Sequence, residues 1–147
     1  MKSLKPFLFI LGLSFLAPAL FAQGDEGLVS ICVNEASSDA TYLKDYVVKL
    51  PEAQPGTRQP IAKNTILLLK NTHYRFTICS SDQYRGEGIL QLYDTKRMLA
   101  STYNPKTGKV YKSIDFYCTK SGPYTVYISF KDGKEGMAVG ILSYVKK

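Results

Sequence analysis

Residues 117–130 read YCTKSGPYTVYISF and contain the clearest alternating pattern in the chain. From Tyr124 onward, apolar side chains at even-numbered positions alternate with Thr, Tyr and Ser at odd-numbered positions, which is the period of a strand with one buried face. Gly122 and Pro123 precede this strand, and both residue types favour turns. The segment therefore predicts two strands joined by a turn, as a hairpin at the centre of a β-sandwich.

The rest of the chain repeats this alternation in short runs that are separated by turn residues. The predicted strands cover residues 27–34, 45–50, 61–70, 73–79, 88–93, 98–103, 110–118, 124–130 and 137–145. Residues 51–60 hold three prolines and a glycine, so they are excluded from a central strand and are predicted to cross between sheets. Eight or nine strands at this spacing predict an all-β fold, an antiparallel sandwich or a barrel.

The first 22 residues have the layout of a secretory signal peptide. Lys2 and Lys5 precede an apolar run, and small residues lead to Ala22. Cleavage is predicted between Ala22 and Gln23, which leaves residues 23–147 as a single β-sandwich domain. The apolar run is too short for a membrane span, and no later apolar segment reaches that length. The protein is therefore expected to be exported, to the periplasm or to the outside of the cell.

Positive charge is concentrated in the second half of the chain. The whole sequence has 19 basic and 12 acidic residues, for a net charge of +7. Residues 96–147 contain ten basic and three acidic side chains, whereas residues 23–95 contain seven and nine. Lysine on strand edges commonly prevents sheet-to-sheet aggregation, and the alternative is a basic face that binds an anionic surface or an acidic partner. The lysines are dispersed and no recognition motif accompanies them, so nucleic acid is not an expected partner.

Three cysteines in an exported chain allow one internal disulfide and leave one thiol. Cys118 shares a predicted strand face with Ile114 and Phe116, the expected core side. Its strand and the strand that ends at Cys79 are expected to run in opposite directions, which would separate the two sulfurs. Cys32 and Cys79 both lie opposite the aliphatic residues of their predicted strands. A disulfide between Cys32 and Cys79 is predicted, with Cys118 as a buried thiol.

Catalytic chemistry has little support in the sequence. His73 is the only histidine and begins a predicted strand after a turn. Most aspartates lie in predicted turns, where local backbone hydrogen bonds favour them. The chain contains no nucleophile elbow, no calcium-binding loop pattern and no pair of cysteines with metal-ligand spacing. No enzyme activity, no metal and no cofactor are predicted.

Tyrosine is the dominant aromatic residue after the signal peptide. All eleven tyrosines follow residue 22, and the chain has no tryptophan. Several tyrosines occupy odd-numbered positions opposite the expected core, with lysines nearby, and this pattern predicts a basic interface surface. The alternative is cross-strand pairing that covers a thin sandwich. The candidate binding residues are Tyr103, Tyr111, Tyr117, Lys120, Tyr127 and Lys131.

Four short motifs follow one another in an order that resembles the order of motifs in a known family. They are YRFTI at residues 74–78, ILQLYD at 89–94, LAS at 99–101 and SGPYTVYI at 121–128. Their succession resembles the pre-peptidase C-terminal type of jelly-roll domain, over residues 61–145. The resemblance implies a secreted jelly-roll sandwich that binds or assists folding rather than catalyses, here as a free-standing bacterial protein.

The expected function is a non-catalytic binding or structural subunit of the bacterial cell envelope. It would engage a protein partner through the basic, tyrosine-bearing sheet face. A sugar-binding platform usually includes tryptophan, but a glycan is a possible ligand, so a carbohydrate-binding module is the first alternative. A small secreted hydrolase is the second.

Overall fold

The structure is a computed structural model that describes residues 25–147. The predicted signal peptide and its cleavage site lie outside the described residues. One α-helix, α1 (Asp25–Glu35), precedes ten strands. The strands are β1 (Ala40–Leu50), β2 (Ala62–Leu68), β3 (Thr72–Ser80), β4 (Gly88–Asp94), β5 (Arg97–Ser101), β6 (Tyr103–Asn104), β7 (Lys109–Val110), β8 (Ser113–Cys118), β9 (Gly122–Phe130) and β10 (Gly136–Val145). Across the described residues, no helical stretch has the length and apolar content that a membrane crossing requires.

Eight of the strands form two four-stranded antiparallel sheets. Sheet A has the order β1-β10-β3-β8, and sheet B has the order β2-β9-β4-β5. With the short strands β6 and β7 set aside, successive strands alternate between the sheets in jelly-roll order, except that β4 and β5 form a hairpin within sheet B. The all-β sandwich of jelly-roll type is therefore confirmed. The strand count is ten rather than eight or nine because β6 and β7, of two residues each, pair with one another in a small third sheet.

The core lies between the two sheets and follows the predicted alternation. In β9 the side chains at even-numbered positions from Tyr124 to Phe130 are buried, and in β3 the same holds for Tyr74, Phe76 and Ile78. The proline-rich residues 51–60 connect β1 in sheet A to β2 in sheet B, as predicted. Burial of these apolar side chains from both sheets is the main stabilising contribution of such a sandwich.

The predicted hairpin at residues 117–130 is wrong. Strand β8 pairs with β3 in sheet A, whereas β9 pairs with β2 and β4 in sheet B. The turn between them passes from one sheet to the other, and the connection from β9 to β10 does the same. Alternation along a strand indicates which side chains are buried, but it contains no information about which strand lies beside it. As a result, the outward side chains of β8 and β9 lie on opposite surfaces of the molecule.

The predicted first strand at residues 27–34 is also wrong, because these residues form α1. Val29 and Val33 are consistent with both structures, since residues four apart lie on the same side of a strand and on the same side of a helix. In the structure Leu28, Val29 and Val33 pack with Cys32 onto the outer face of sheet A. Only a helix can form this second, smaller core, because a helix brings residues 28, 29, 32 and 33 to one face.

The disulfide between Cys32 and Cys79 is confirmed, with the two Cα atoms 5.6 Å apart. Cys118 is a buried free thiol, also as predicted. Strands β3 and β8 run antiparallel with Thr72 opposite Cys118, so Cys79 lies at the far end of β3. Cys32 belongs to a helix and not to the predicted strand, and it lies among apolar side chains rather than opposite them. The bond therefore attaches α1 to sheet A.

Candidate binding surface

The outer faces of the two sheets differ in what covers them. Helix α1 contacts β10, β3 and β1, which all belong to sheet A. Beneath it, Val139 and Ile141 of β10 are fully buried. Within residues 25–147, sheet B has no helix over its outer face. The outward side chains of sheet B are therefore the larger uncovered sheet surface of the described molecule.

We call the outward side chains in the middle of sheet B the tyrosine face. The alternation of buried residues and the strand register identify its members. They are Lys63, Thr65 and Leu67 of β2, Thr125 and Tyr127 of β9, Gln91 and Tyr93 of β4, and Met98 of β5. Lys63 is the one charged residue among these eight, so the face combines aromatic, apolar and neutral polar groups with a single positive charge.

Tyr127 lies at the centre of this face, between two neighbours. The rings of Tyr93 and Tyr127 stack with their centroids 4.2 Å apart and their planes 19° apart. On the side of β2, the Lys63 ammonium lies 5.1 Å from the centroid of the Tyr127 ring. Stacking and cation–π contact are each worth on the order of 1 kcal/mol, so the three side chains hold one another in place. The conformation of Tyr127 is consequently favoured over its other rotamers before any partner binds.

Exposed apolar side chains flank the stacked tyrosines. Leu67 is 77% exposed and Met98 is 49% exposed. Both lie on the same side of sheet B as Tyr93, and Met98 stands directly opposite Tyr93 in the β4–β5 pair. Aromatic residues and methionine are enriched at the cores of protein interfaces, where charged residues are depleted. The composition of the tyrosine face is of this kind.

The structure separates the six predicted binding residues instead of bringing them together. Tyr127 lies on the tyrosine face, whereas Tyr117 lies on the outer face of sheet A and stacks on His73 with centroids 4.0 Å apart. Lys120 lies in the turn between β8 and β9, where its carbonyl oxygen accepts a 2.6 Å hydrogen bond from the Tyr124 hydroxyl. Tyr117 and Tyr127 lie on opposite surfaces because β8 belongs to sheet A and β9 belongs to sheet B.

Two of the other three predicted residues, Tyr103 and Tyr111, belong to the arm formed by β6 and β7, and the third, Lys131, follows β9 and bonds to that arm. Tyr103 lies in β6, and Tyr111 follows β7 with the Lys109 ammonium 4.7 Å from its ring centroid. The Lys131 ammonium donates a 2.8 Å hydrogen bond to the carbonyl oxygen of Gly108, which attaches this arm to the end of β9. The sequence pattern missed Lys63, Tyr93 and Met98, because only the strand order shows that they surround Tyr127.

A second polar cluster lies on the outer face of sheet A around Arg75. The Arg75 guanidinium donates to both carboxylate oxygens of Asp115, at 2.6 and 2.9 Å, and to Asp39 at 2.8 Å. It also donates to the carbonyl oxygen of Ala36, just after α1. His73 forms a 2.9 Å contact with the same Asp115 carboxylate. The Arg75 cluster thus joins β3, β8 and the loop between α1 and β1.

The electrostatics of this cluster depend on its two carboxylates. Hydrogen bonds from Arg75 lower the pKa of Asp115 below its ordinary value of 3.8. The pKa of Asp39 is also lowered, first by the Ser37 hydroxyl and then by Arg75. Hydrogen bonding to Asp115 in turn raises the pKa of Arg75. Each shift favours the charged form, as expected when opposite charges share hydrogen bonds.

We expect this cluster to make the protein sensitive to acid. Both carboxylates have a lower pKa in the folded state than in the unfolded state, so the unfolded state binds more protons as the pH falls. Their contribution to stability is complete well above pH 3.8 and is lost as the pH drops through the lowered values. Denaturant unfolding at a series of pH values from 7 to 2.5 would measure this loss.

The matched variant for this test is Arg75→Met, which removes the guanidinium and retains much of the side-chain volume. Its unfolding free energy should depend less on pH below about 4 than that of the wild type, because the Asp115 carboxyl would titrate near its ordinary value. Parallel profiles for the two proteins would contradict the assigned role of Arg75.

A cleft of about 1340 Å³ is lined by residues of α1, of the end of β3 and of the segment before β8. Ile31 and Ile78 contribute apolar surface to its lining, and Glu26, Asp82 and Glu87 contribute carboxylates. Among the residues that the structure describes, no group of three or more His, Cys, Asp or Glu side chains is arranged to hold a metal ion.

The tyrosine face, the Arg75 cluster and the cleft are thus three distinct surface features. In the Arg75 cluster the charged groups bond to one another, and in the cleft the carboxylates lie around an irregular depression. The tyrosine face combines stacked tyrosines with exposed apolar side chains on a regular sheet. No protein-family model and no curated protein matches this chain.

Proposed function

We propose that the protein is a non-catalytic binding or structural subunit of the bacterial cell envelope, and that it engages a protein partner through the tyrosine face. Export is supported by the signal-peptide pattern of residues 1–22. The disulfide between Cys32 and Cys79 supports an oxidising compartment, since such bonds persist mainly outside the cytosol. Jelly-roll sandwiches serve many functions, so the proposal depends on the surface and not on the fold.

The stack formed by Lys63, Tyr127 and Tyr93 is the observation that carries this proposal. Its side chains extend from three adjacent strands of a rigid sheet, and their mutual contacts restrict their rotamers before binding. A partner would therefore immobilise few side chains that are not already ordered, which reduces the entropic cost of association. Tyrosine and tryptophan are also the residues that most often dominate binding energy at protein interfaces.

The same stack favours a protein partner over a glycan. A sugar ring packs against the open face of an aromatic side chain. Here Tyr93 and Lys63 approach Tyr127 from opposite sides, because β9 lies between β4 and β2. Leu67 and Met98 add apolar surface that suits apolar side chains of a protein, and the Lys63 ammonium suits an acidic group at the partner's rim.

We expect the double substitution Tyr93→Ala and Tyr127→Ala to reduce partner recovery by roughly tenfold or more, as loss of interface tyrosines commonly does. The full chain would be expressed with a C-terminal tag and purified from envelope extracts. A photo-crosslinking residue in place of Thr65 would capture the protein in direct contact with the face. Captured proteins would then be identified and quantified for the wild type and the variant.

Tyr117→Ala is the matched control, because Tyr117 is an exposed tyrosine that stacks on a neighbour on the opposite sheet. It should leave recovery unchanged, and unfolding measurements would show that all variants remain folded. Equal recovery of the partner by the wild type and the double variant would refute the proposal. Binding on a glycan array that the double variant loses would instead assign the tyrosine face to a carbohydrate-binding module.

A further inference from the structure

Strand β1 is an unusually long edge strand. It spans eleven residues and is the outermost strand of sheet A, so among the described residues it pairs only with β10. Tyr42, Leu43 and Val47 are each between 44% and 49% exposed. A long edge with exposed apolar side chains is a template for pairing with another chain unless something prevents it.

The backbone hydrogen bonds in sheet A identify which residues of β1 face its open edge. In an antiparallel sheet, successive residues direct their N–H and C=O groups to opposite sides. The Ile78 amide donates to the carbonyl oxygen of Lys112, on the β8 side, so Cys79 faces β10. Cys79 stands opposite Val139, which therefore faces β3. The next residue of β10, Gly140, consequently faces β1.

Gly140 stands opposite Tyr46, so Tyr46 bonds to β10. Its neighbours Asp45 and Val47, and with them Lys49, direct their backbone groups to the open edge. Their side chains share the outer side of the sheet, because Tyr46 and Val48 point into the core. Along the open edge, the outward side chains are therefore the acidic Asp45, the apolar Val47 and the basic Lys49, in that order.

We propose that two copies of the protein associate through the open edge of β1, in antiparallel register about a two-fold axis at Val47. Val47 then lies opposite the partner's Val47, and Asp45 lies opposite the partner's Lys49. Symmetry repeats the charge pair on the other side of the axis. All three opposed pairs consist of edge-facing residues, which is the condition for two N–H···O=C bonds in each pair.

Charge selects this register over its neighbours. An axis at Asp45 would place two carboxylates opposite one another, and an axis at Lys49 would do the same with two ammonium groups, which destabilises a strand pair. An axis at Tyr46 would place Asp45 opposite the partner's Val47, and an axis at Val48 would place Lys49 opposite it, so neither register pairs Asp45 with Lys49. Only the axis at Val47 pairs both charges with their opposites, so the edge is complementary to itself.

The ends of β1 limit the pairing to one short segment. A bulge interrupts the strand between Tyr42 and Lys44, and Pro51, which has no N–H to donate, follows Leu50. Within the single chain, the Asp45 carboxylate accepts a bond from the Tyr42 hydroxyl, and the Lys49 ammonium lies 5.1 Å from the ring centroid of Tyr84. Because each copy has one β1 edge, the two-fold arrangement closes as a dimer.

The test is the association of the purified protein in solution. The full chain would be expressed for export, and the oxidised product examined by sedimentation equilibrium over a wide concentration range. The wild type should show a reversible equilibrium between monomer and dimer. Asp45→Lys should raise the dimer dissociation constant about tenfold or more, because each of its two symmetric positions then opposes a lysine to a lysine. Lys49→Asp should act in the same direction.

The double variant, Asp45→Lys with Lys49→Asp, should restore association close to the wild-type value because it exchanges the charges and keeps the pairs. Lys63→Asp on the tyrosine face is the matched charge control and should leave the equilibrium unchanged. Val47→Pro should abolish the dimer without disturbing the fold, since the Val47 N–H faces the open edge. Circular dichroism would establish that each variant is folded.

A protein that stays monomeric at every concentration would overturn the proposal. So would a dimer that is insensitive to Asp45→Lys, or one that the double variant fails to restore. These outcomes concern the edge of sheet A alone and leave the tyrosine face of sheet B untested, so failure of one proposal does not imply failure of the other.

Discussion

Replacement of both Cys32 and Cys79 by alanine is expected to lower the free energy of unfolding by about 4 kcal/mol. The two residues are 47 positions apart, and a crosslink across a loop of this length restricts the unfolded chain by about that amount in the chain-entropy account. The bond also attaches α1 to sheet A over a small apolar cluster. Its loss should therefore loosen α1 before the rest of the sandwich unfolds.

Denaturant unfolding, followed by far-ultraviolet and near-ultraviolet circular dichroism, would measure both effects. The two signals should coincide for the wild type and separate for the variant, in which α1 detaches first. Reduced wild-type protein should behave like the double variant. Cys118→Ala provides the control for a buried cysteine outside the disulfide. A loss below about 1 kcal/mol would show that the crosslink contributes little beyond the packing of α1.

Phe130→Ala is expected to destabilise the protein by about 3–5 kcal/mol, the usual range for a fully buried phenylalanine. Phe130 ends β9 and is 2% exposed. Its ring lies directly against the backbone at two glycines, Gly86 and Gly136, where an added methyl group would overlap with it. The ring thus fills the space where β9 leaves sheet B and β10 begins in sheet A.

Gly136→Ala tests the same contact from the other side. Alone it should destabilise the protein by about 1–3 kcal/mol through overpacking against Phe130. In the Phe130→Ala background the added methyl group would enter the cavity, so the double variant should be more stable than the sum of the two single effects predicts. Thermal unfolding of the four proteins gives the coupling energy. Additive effects would mean that the ring and the glycine do not share this space.

The buried positions of the strands could be predicted from the sequence because burial is a local property of an alternating strand. The sets around Phe76 in β3 and Val126 in β9 are both confirmed. The pairing of β8 with β3 could not be predicted in this way, since a jelly roll passes from sheet to sheet at most of its turns. A turn such as the one at residues 119–121 has the same composition whether it closes a hairpin or joins two sheets.

The order of the strands also could not be predicted for the candidate binding tyrosines, which is why they do not share one surface in the structure. Tyr117 and Tyr127 both point away from the core, as their odd-numbered positions predict. However, they belong to different sheets, so this shared property places them on opposite surfaces. Lys63 and Tyr93 are distant from Tyr127 in the chain, and only the order of strands in sheet B makes them its neighbours.

By itself, the sequence determined the all-β class and the inward-facing residues of β3, β8 and β9. It also led to the correct disulfide pair, Cys32 and Cys79, although Cys32 lies in a helix and not in the predicted strand. These properties depend on residue type, on periodicity and on the number of cysteines. The tertiary structure decided that residues 25–35 form a helix, which strands are neighbours and which tyrosines share a surface. Those features depend on contacts between distant segments, and such contacts select one arrangement among several that the local pattern allows equally.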